Sequence, residues 1–212
     1  MTYLADVHAL ARKDLRLELR SRDTLPAMVL FVVAALVVFS FSLPAEASDL
    51  AAYGLLWVAI VFTAILGLTR AFAAEREQRV LDGLVLTPCD RSAIWLGKGI
   101  AMLAFLALAE VVALPAFALF FEPVTWELVA AVALADLGLA AVGTLLAAMA
   151  AASRARELLL PLLFLPLVIP IVVGGVGASI GDDPGRYLGF LVLYDLIFAI
   201  LSWASFEYVV TE

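Results

Sequence analysis

Three carboxylic acids stand within long apolar stretches of the sequence, where charged side chains are rare. They are Glu110, Asp136 and Asp195. Placing a charged side chain near the centre of a bilayer costs at least roughly 2.5–3.5 kcal/mol, so such residues normally face the protein interior or water. They could act in a pathway, a gate or a proton relay. Alternatively they are protonated or hydrogen-bonded contacts between helices, including helices of a partner subunit, and the sequence is compatible with both interpretations.

Residues for several other chemistries are missing from the sequence. His8 is the only histidine and Cys89 is the only cysteine, so one chain cannot supply a Cys/His zinc cluster or two histidines to a haem. The G-x-x-x-x-G-K-[ST] pattern of phosphate loops does not occur. No Ser-His-Asp arrangement can be built inside the apolar stretches. We therefore expect no catalytic residue, no metal site and no cofactor bound by this chain, which indicates a transport or scaffold protein rather than an enzyme.

Six apolar stretches are long enough to cross a membrane. Of the 212 residues, 65% are hydrophobic and 16% are charged, whereas soluble domains are about half apolar. A bilayer core about 30 Å thick needs roughly 20 apolar helical residues, and backbone groups in lipid must bond within the helix. The sequence predicts an all-α integral membrane protein, with 1–212 forming a single transmembrane domain and spans at about 25–43, 51–69, 99–121, 128–152, 158–180 and 187–210.

The basic residues predict the orientation of these spans. If the N-terminus is cytoplasmic, twelve of the 13 lysines and arginines lie on the cytoplasmic side, and only Arg186 lies on the other side. Cytoplasmic loops carry such an excess of lysine and arginine. We therefore predict that both termini are in the cytoplasm.

The N-terminal segment, 1–23, has the periodicity of an amphipathic helix. Basic residues lie toward one side, and one face carries the apolar residues Leu4, Val7, Ala11, Leu15 and Leu19. A helix of this kind lies in the membrane interface, with its apolar face in the acyl boundary and its basic face toward anionic headgroups. We predict an interfacial elbow helix that leads into the first span. A simple stop-transfer flank is the alternative.

The segment 70–98 is the longest stretch between spans. Its first half has helical character, and Thr87-Pro88 then interrupts the helix, because proline disfavours helix at the preceding residue and has no N–H to donate. Asp90 is a suitable N-cap for a second helix that begins near Arg91 and runs into the third span. Such an amphipathic cytoplasmic segment predicts a docking surface for a soluble partner, with an ordinary hydrated loop as the alternative.

The fifth span is rich in proline and glycine, which can interrupt a helix or allow it to bend and pack closely. Proline removes backbone hydrogen bonds, and glycine permits bending or close packing. We regard five positions as hinge candidates: Pro161, Pro166, Pro170, Gly174 and Gly175. A deformable span is typical of a protein that moves, although prolines are also tolerated in lipid. In the fourth span, the small residues Gly143, Ala147 and Ala151 predict close helix packing.

The chain resembles the CcmB family over nearly its whole length. The segments that carry the resemblance are ARKDLRLELRSRDTLPAMVLFVV, FSFSL, GLLWVAIVF, the loop with ERE, LDGL and TPCDRSAIWLGK, RARELLLPLLFLPLVIP, and the ending with YDLIF and FEYV. CcmB proteins are the membrane permeases of the cytochrome c maturation ABC transporter, often called haem exporter protein B. The resemblance implies six transmembrane helices of the ABC-2 permease type in the bacterial inner membrane.

The resemblance also implies partners. CcmB-like permeases pair as two copies with two copies of the ATPase CcmA, which binds ATP, and associate with CcmC and CcmD. The complex handles haem attached to the periplasmic chaperone CcmE. The helix between spans two and three docks in the ATPase, which implies contacts from Glu75, Arg76, Glu77, Leu81, Asp82 and Leu84. Arg79 stands where the related pattern has glycine, and Asp82 stands where it has glutamate.

Several functions remain compatible with these residues. The CcmB resemblance implies that ATP hydrolysis drives either haem export or the release of haem-loaded CcmE, and the single peripheral histidine favours release. A generic ABC-2 export permease for lipid, drug or polysaccharide would share the topology. A proton-coupled secondary transporter would use Glu110, Asp136 and Asp195, although such proteins often have paired broken helices. A passive assembly scaffold is the last alternative.

Overall fold

The computed structural model describes residues 3–44, 49–71, 90–152 and 156–211, and these form seven α-helices with no strand among them. The six helices that follow the first are each long and apolar enough to cross a membrane. The predicted all-α membrane fold with six spans is therefore confirmed. The helices are α1 (Tyr3–Ser21), α2 (Thr24–Ser42), α3 (Asp49–Ala71), α4 (Arg91–Phe120), α5 (Trp126–Ala152), α6 (Arg156–Ile180) and α7 (Pro184–Thr211).

The start of α4 follows directly from its capping residue. The Asp90 carboxylate accepts hydrogen bonds from the Ser92 backbone N–H at 2.9 Å and from the Ser92 hydroxyl at 2.8 Å. These bonds satisfy an N–H that the first helical turn leaves without a partner. They also lower the pKa of the exposed Asp90 carboxyl below its usual value. The predicted cap is confirmed, and α4 extends the predicted third span by eight residues at its N-terminal end.

The fifth transmembrane element of the sequence, α6, remains one helix through all three of its prolines. Its two adjacent glycines lie against neighbouring helices. A Cβ at Gly174 would lie 2.8 Å from the Leu191 side chain, and a Cβ at Gly175 would overlap the ring of Trp57. These glycines therefore provide room for two large side chains, and their role as hinges stays a prediction.

Helix α5 lies at the centre of the bundle and contacts α3, α4, α6 and α7. Its small residues allow this close packing. Gly143 lies directly against the Leu68 side chain of α3, and Ala147 is buried. The predicted packing stripe is confirmed at these two positions, whereas the side chain of Ala151 lies outside those that the structure describes.

Both termini lie at one end of the bundle. Arg91, at the start of α4, forms an ion pair with Glu207 near the end of α7, with 3.6 Å between the nitrogen and oxygen atoms. At the same end, the Arg70 guanidinium of α3 donates to the Asp23 carbonyl before α2 at 3.1 Å. We call this the terminal end and its opposite the outer end. The arrangement agrees with an even number of spans, and its cytoplasmic orientation stays a prediction.

The N-terminal helix is present as predicted, but its apolar face contacts protein. Val7 and Ala11 are buried, and α1 packs on α4 where Gly97 lacks a side chain: a Cβ there would lie 2.8 Å from the Leu10 Cβ atom. The prediction that this face lies in the acyl boundary is wrong for Val7 and Ala11, because α4 covers them. Leu4 is exposed, as are the basic residues Arg12, Arg16 and Arg20.

Candidate functional site

The predicted ATPase-docking residues lie outside the described residues. They are Glu75, Arg76, Glu77, Leu81, Asp82 and Leu84, all within 72–89. The structure does describe both flanks of this segment, because α3 ends at Ala71 and α4 begins at Arg91.

Helix α1 is joined to α4 by an ion pair whose lysine is buried and whose aspartate is partly exposed. The Lys98 ammonium lies 3.5 Å from the Asp14 carboxylate, and the Lys98 side chain is 6% exposed. Asp14 also lies 3.0 Å from the ammonium of Lys13. Nearer the start of α4, the Ser92 hydroxyl hydrogen-bonds with the Tyr3 hydroxyl at 3.1 Å. These contacts join α1 to the part of α4 that directly follows the docking segment.

Helix α1 is also joined to α2, through Glu18. One oxygen of the Glu18 carboxylate accepts hydrogen bonds from the backbone N–H groups of Thr24 and Leu25, each at 2.7 Å. Since a helix N-terminus carries unpaired N–H groups and a partial positive charge, a carboxylate there is stabilising. We call α1 with its contacts at Asp14 and Glu18 the α1 clamp. Sequence reasoning missed it, although two acids spaced by four in a basic helix were the available signal.

The three intramembrane acids lie at one depth. Each is about ten residues from the outer end of its helix, namely Phe120 for Glu110, Trp126 for Asp136 and Pro184 for Asp195. At 1.5 Å of rise per residue, this places all three about 15 Å from the outer end. The three acids therefore form a single layer inside the membrane-spanning part of the bundle.

Glu110 and Asp136 meet between α4 and α5. Their carboxyl groups are in hydrogen-bonding contact, and their side chains are 8% and 4% exposed. Two carboxyl groups can hydrogen-bond only when one carries a proton, because two adjacent negative charges repel. The remaining oxygens, Oε1 of Glu110 and Oδ1 of Asp136, are buried and have no hydrogen-bond partner among the described residues. A hydrogen bond between these two carboxyl groups therefore requires at least one proton on the pair.

Asp195 lies apart from that pair. Its Oδ1 atom is beside Gly138, where a Cβ would lie 2.6 Å away. Gly138 is two residues beyond Asp136, so it faces almost the opposite side of α5. Neither carboxylate oxygen of Asp195 has a hydrogen-bond partner within the described part of the chain. The structure therefore brings two of the three predicted acids together, and no direct hydrogen bond links the third to them.

Metal-ligating residues form no cluster in the described ranges: no group of three or more His, Cys, Asp or Glu side chains is close enough to hold an ion. His8 lies on the exposed face of α1, while Cys89 falls outside the described residues.

Comparison with known proteins finds relatives along almost the whole chain. The family model described as CcmB protein matches residues 5–205. Heme exporter protein B of Paracoccus denitrificans is 31% identical over 207 residues, which are 93% of this chain and 94% of the relative. Heme exporter protein B of Rhodobacter capsulatus is 32% identical over 174 residues, or 80% of each chain. Heme exporter protein B of Bradyrhizobium diazoefficiens is 30% identical over 176 residues, covering 81% and 79% of the two chains.

Proposed function

We propose that this chain, which belongs to the CcmB family, is the membrane subunit of an ABC transporter for c-type cytochrome biogenesis. The observation that carries the proposal is the family match over 5–205, which includes the first five spans, most of the sixth and the segment between α3 and α4. The chain is a multi-pass protein of the bacterial inner membrane. ATP hydrolysis belongs to a partner chain, since this sequence has no phosphate-binding loop.

The coupling element is the segment 72–89. We place the ATPase contacts of a homodimeric permease on its charged and apolar residues, with Glu75 and Asp82 as the central charges. Movement of this segment reaches the membrane through α3 and α4, which flank it. The α1 clamp supports this route, because Asp14 and Lys98 tie α1 to α4 and Glu18 ties α1 to the start of α2. Three transmembrane helices are thereby connected to one docking surface.

The work that ATP drives is either haem export or the release of a haem-loaded periplasmic chaperone, and we favour release. Haem iron is commonly held by histidine, cysteine, methionine or tyrosine. The only histidine is on the exposed face of α1, and Tyr194, which lies among the spans, donates its hydroxyl to the Leu167 carbonyl at 2.6 Å. Haem is therefore handled by partner subunits in this proposal, with CcmC, CcmD and the chaperone CcmE as the expected ones, while this chain transmits conformational change.

Co-purification of the ATPase tests the coupling assignment. The double variant Glu75→Arg/Asp82→Arg reverses two charges in the docking segment and should lose the co-expressed ATPase while still inserting into the membrane. Asp183→Arg is the matched control, because this exposed acid lies at the outer end before α7. Retention of the ATPase by the double variant would place docking elsewhere. A wild-type chain that binds no ATPase would overturn the ABC assignment.

A genetic test separates the haem pathway from generic export. Deleting the gene should abolish haem-stained c-type cytochromes, and the wild-type chain should restore them. Intact c-type cytochromes after deletion would favour an ABC-2 permease for lipid, drug or polysaccharide. A purified complex with haem bound between two copies of this chain would contradict the chaperone-release mechanism.

A further inference from the structure

Three arginines form a stripe along the exposed face of α1. Arg12, Arg16 and Arg20 recur every four residues, so their side chains are neighbours on one side of the helix, and all three are exposed. They line an open groove of about 480 Å³, whose other residues include His8 and Leu17. We call the three arginines the arginine stripe.

The protein supplies no counter-charge to the arginine stripe in its described part. Within α1, no residue three or four positions from these arginines is acidic, and none of the three forms an ion pair with a described residue. Two acids of α1 are used on the opposite side, where Asp14 pairs with Lys98 and Glu18 accepts hydrogen bonds from the start of α2. Like charges at this spacing repel each other along a helix, so an anion from outside the chain would stabilise the stripe.

The contacts of α1 place the stripe at the depth of lipid headgroups. Helix α1 crosses α4 at Gly97, which is about 35 Å from the outer end of α4 at Phe120. Glu18 contacts the start of α2, about 27 Å from the other end of that helix. A hydrocarbon core is about 30 Å thick, and the headgroup layers extend the bilayer to about 40–45 Å. Arg12 and Arg16 lie between these two contacts along α1, so they lie at the headgroup layer of the terminal end.

The stripe also faces away from the rest of the bundle. Val7 and Ala11 mark the side of α1 that α4 covers, and 3.6 residues per turn places the three arginines about 120–160° around the helix from that side. At headgroup depth, the space on this side belongs to lipid, and a soluble partner would have to enter the headgroup layer to fill it. A guanidinium group matches a phosphate with two parallel hydrogen bonds. Charge, depth and direction therefore indicate the same ligand.

We propose that the arginine stripe is a binding site for anionic phospholipid, whose phosphate groups lie between neighbouring guanidinium groups. Leu17, which is 52% exposed beside the stripe, contacts the upper part of the acyl chains. The inference goes beyond the proposed function and requires only that the chain spans a membrane. Helix α1 is thus held by protein contacts on its apolar side and by lipid phosphates on its basic side.

Native mass spectrometry of the purified complex tests the proposal, with phosphatidylglycerol as the added lipid. The variant Arg12→Gln/Arg16→Gln/Arg20→Gln removes the charge of the stripe with a residue that favours helix. Each basic residue near an anionic surface contributes about fivefold to binding, so the affinity for phosphatidylglycerol should fall by about tenfold or more. An unchanged affinity would overturn the proposal.

A pair of single variants controls for the general effect of charge. Arg16→Gln and Arg186→Gln each remove one exposed positive charge, but Arg186 lies at the outer end of the bundle. Arg16→Gln should lower the affinity about fivefold and Arg186→Gln should leave it unchanged. Equal effects of the two variants would contradict a site on α1.

The choice of ligand controls for its source. Phosphatidylcholine has a phosphate but no net charge, and it should bind at least about tenfold more weakly to the wild-type chain than phosphatidylglycerol. Equal binding of the two lipids would argue against recognition of an anionic headgroup. Displacement of phosphatidylglycerol by an equal concentration of inorganic phosphate would show a site for a free anion and would also overturn the proposal.

A photoreactive lipid locates the site in the wild-type chain, whether or not the triple variant folds. A phosphatidylglycerol analogue with a diazirine near its phosphate should form adducts on α1 peptides in native membranes. Adducts confined to other helices would contradict the proposal, as would a triple variant that loses the ATPase while its lipid affinity stays unchanged. Failure of the wild-type chain to bind any ATPase would count against the ABC assignment and leave the lipid site unaffected.

Discussion

At the scale of single residues, the acids of the membrane layer differ in what they face. Glu110 and Asp136 face each other across α4 and α5, and their carboxyl groups are in hydrogen-bonding contact. Asp195 lies beside Gly138 instead, and both of its carboxylate oxygens are buried without a hydrogen-bond partner among the described residues. The pair explains how two acids can remain inside an apolar bundle without a basic partner, because each group satisfies part of the other's hydrogen-bonding capacity.

The carboxyl pair predicts an asymmetric stability effect. Glu110→Leu should lower the free energy of unfolding by about 1–3 kcal/mol, because it leaves the buried Asp136 without its partner. The double variant Glu110→Leu/Asp136→Leu should lose less than the single variant, since no buried polar group is then stranded. Thermal unfolding of the detergent-solubilised protein measures both. If the effects of the two substitutions on the free energy of unfolding were simply additive in the double variant, the two carboxyl groups would not interact.

Activity of a conservative variant tests the proton-relay alternative. Glu110→Gln keeps a side chain of the same shape that can hydrogen-bond with Asp136 but cannot release a proton. If the pair serves only to join α4 and α5, this variant should assemble c-type cytochromes at the wild-type level. Loss of assembly by a variant that folds and binds the ATPase normally would support a proton-coupled function.

At the scale of elements, the α1 clamp and the close-packed glycines show which helices are joined most closely. The chain reverses between α1 and α2 at Arg22, whose φ of 56° lies in the left-handed region. The Arg22 N–H bonds to the Glu18 carbonyl at 2.7 Å, which closes the last turn of α1. Helices α1, α2 and α4 are thereby linked at the terminal end.

The charge pair of the clamp predicts that its two members are not equivalent. Asp14→Leu should lower the free energy of unfolding by about 1–3 kcal/mol, because it removes a carboxylate from the buried Lys98 ammonium. Lys98→Met should have the smaller effect, since Asp14 keeps Lys13 at 3.0 Å. Thermal unfolding compares the two variants. A larger loss of stability in Lys98→Met than in Asp14→Leu would contradict the view that Lys98 is the more deeply desolvated partner.

The elbow between α1 and α2 predicts a stabilising substitution. Glycine adopts a positive φ without the steric penalty that other residues incur. Arg22→Gly should therefore raise the free energy of unfolding by about 1 kcal/mol. Arg20→Gly, two residues earlier within helix α1, should lower it by a similar amount because glycine is unfavourable in helices. A decrease in thermal stability for Arg22→Gly would rule out a strained elbow.

The contact between α3 and α6 predicts a position that tolerates no added methyl group. A Cβ at Gly175 would overlap the Trp57 ring, and Trp57 is fully buried. Gly175→Ala should lower the free energy of unfolding by about 1–3 kcal/mol through overpacking. Gly54→Ala serves as the control, since open space surrounds that position. Equal thermal stability of the two variants would show that α3 and α6 separate easily here.

At the scale of the whole molecule, one end of the bundle gathers both termini, the α1 clamp and the flanks of the docking segment. Contacts such as Arg91 with Glu207 hold this end together. The intramembrane acids lie toward the other end, about 15 Å from it. Helix α4 connects the two regions because it carries both Lys98 and Glu110, so in the proposed function it is the helix that joins an ATPase on one side to periplasmic partners on the other.

The predicted orientation can be checked by cysteine labelling in intact spheroplasts. With Cys89 replaced by serine, a cysteine at Asp183 should react with a membrane-impermeant maleimide, because 181–186 is predicted to face the periplasm. A cysteine at the exposed Arg12 of α1 should react only after the membrane is permeabilised. The reverse labelling pattern would invert the topology and remove the docking segment from the cytoplasm.

Local properties of the sequence were sufficient to predict the helices of this fold. Hydropathy and length predicted the six spans, and the Asp90–Ser92 pattern predicted the start of α4, because both depend on neighbouring residues alone. The family resemblance followed from the order of motifs along the chain, which the match over 5–205 confirms. The docking residues of 72–89 stay a prediction, since they lie outside the described residues.

Relations between elements required the tertiary structure. Hydropathy is nearly uniform around a membrane helix, so it does not specify which face of α5 meets α4 and which meets α7. The pairing of Glu110 with Asp136, the isolation of Asp195 and the ion pair of Asp14 with Lys98 all depend on those rotations. In lipid, helix association is directed by the packing of small residues and by interhelical hydrogen bonds. These contacts join residues that are far apart in the sequence, so the residues near any one position do not determine them.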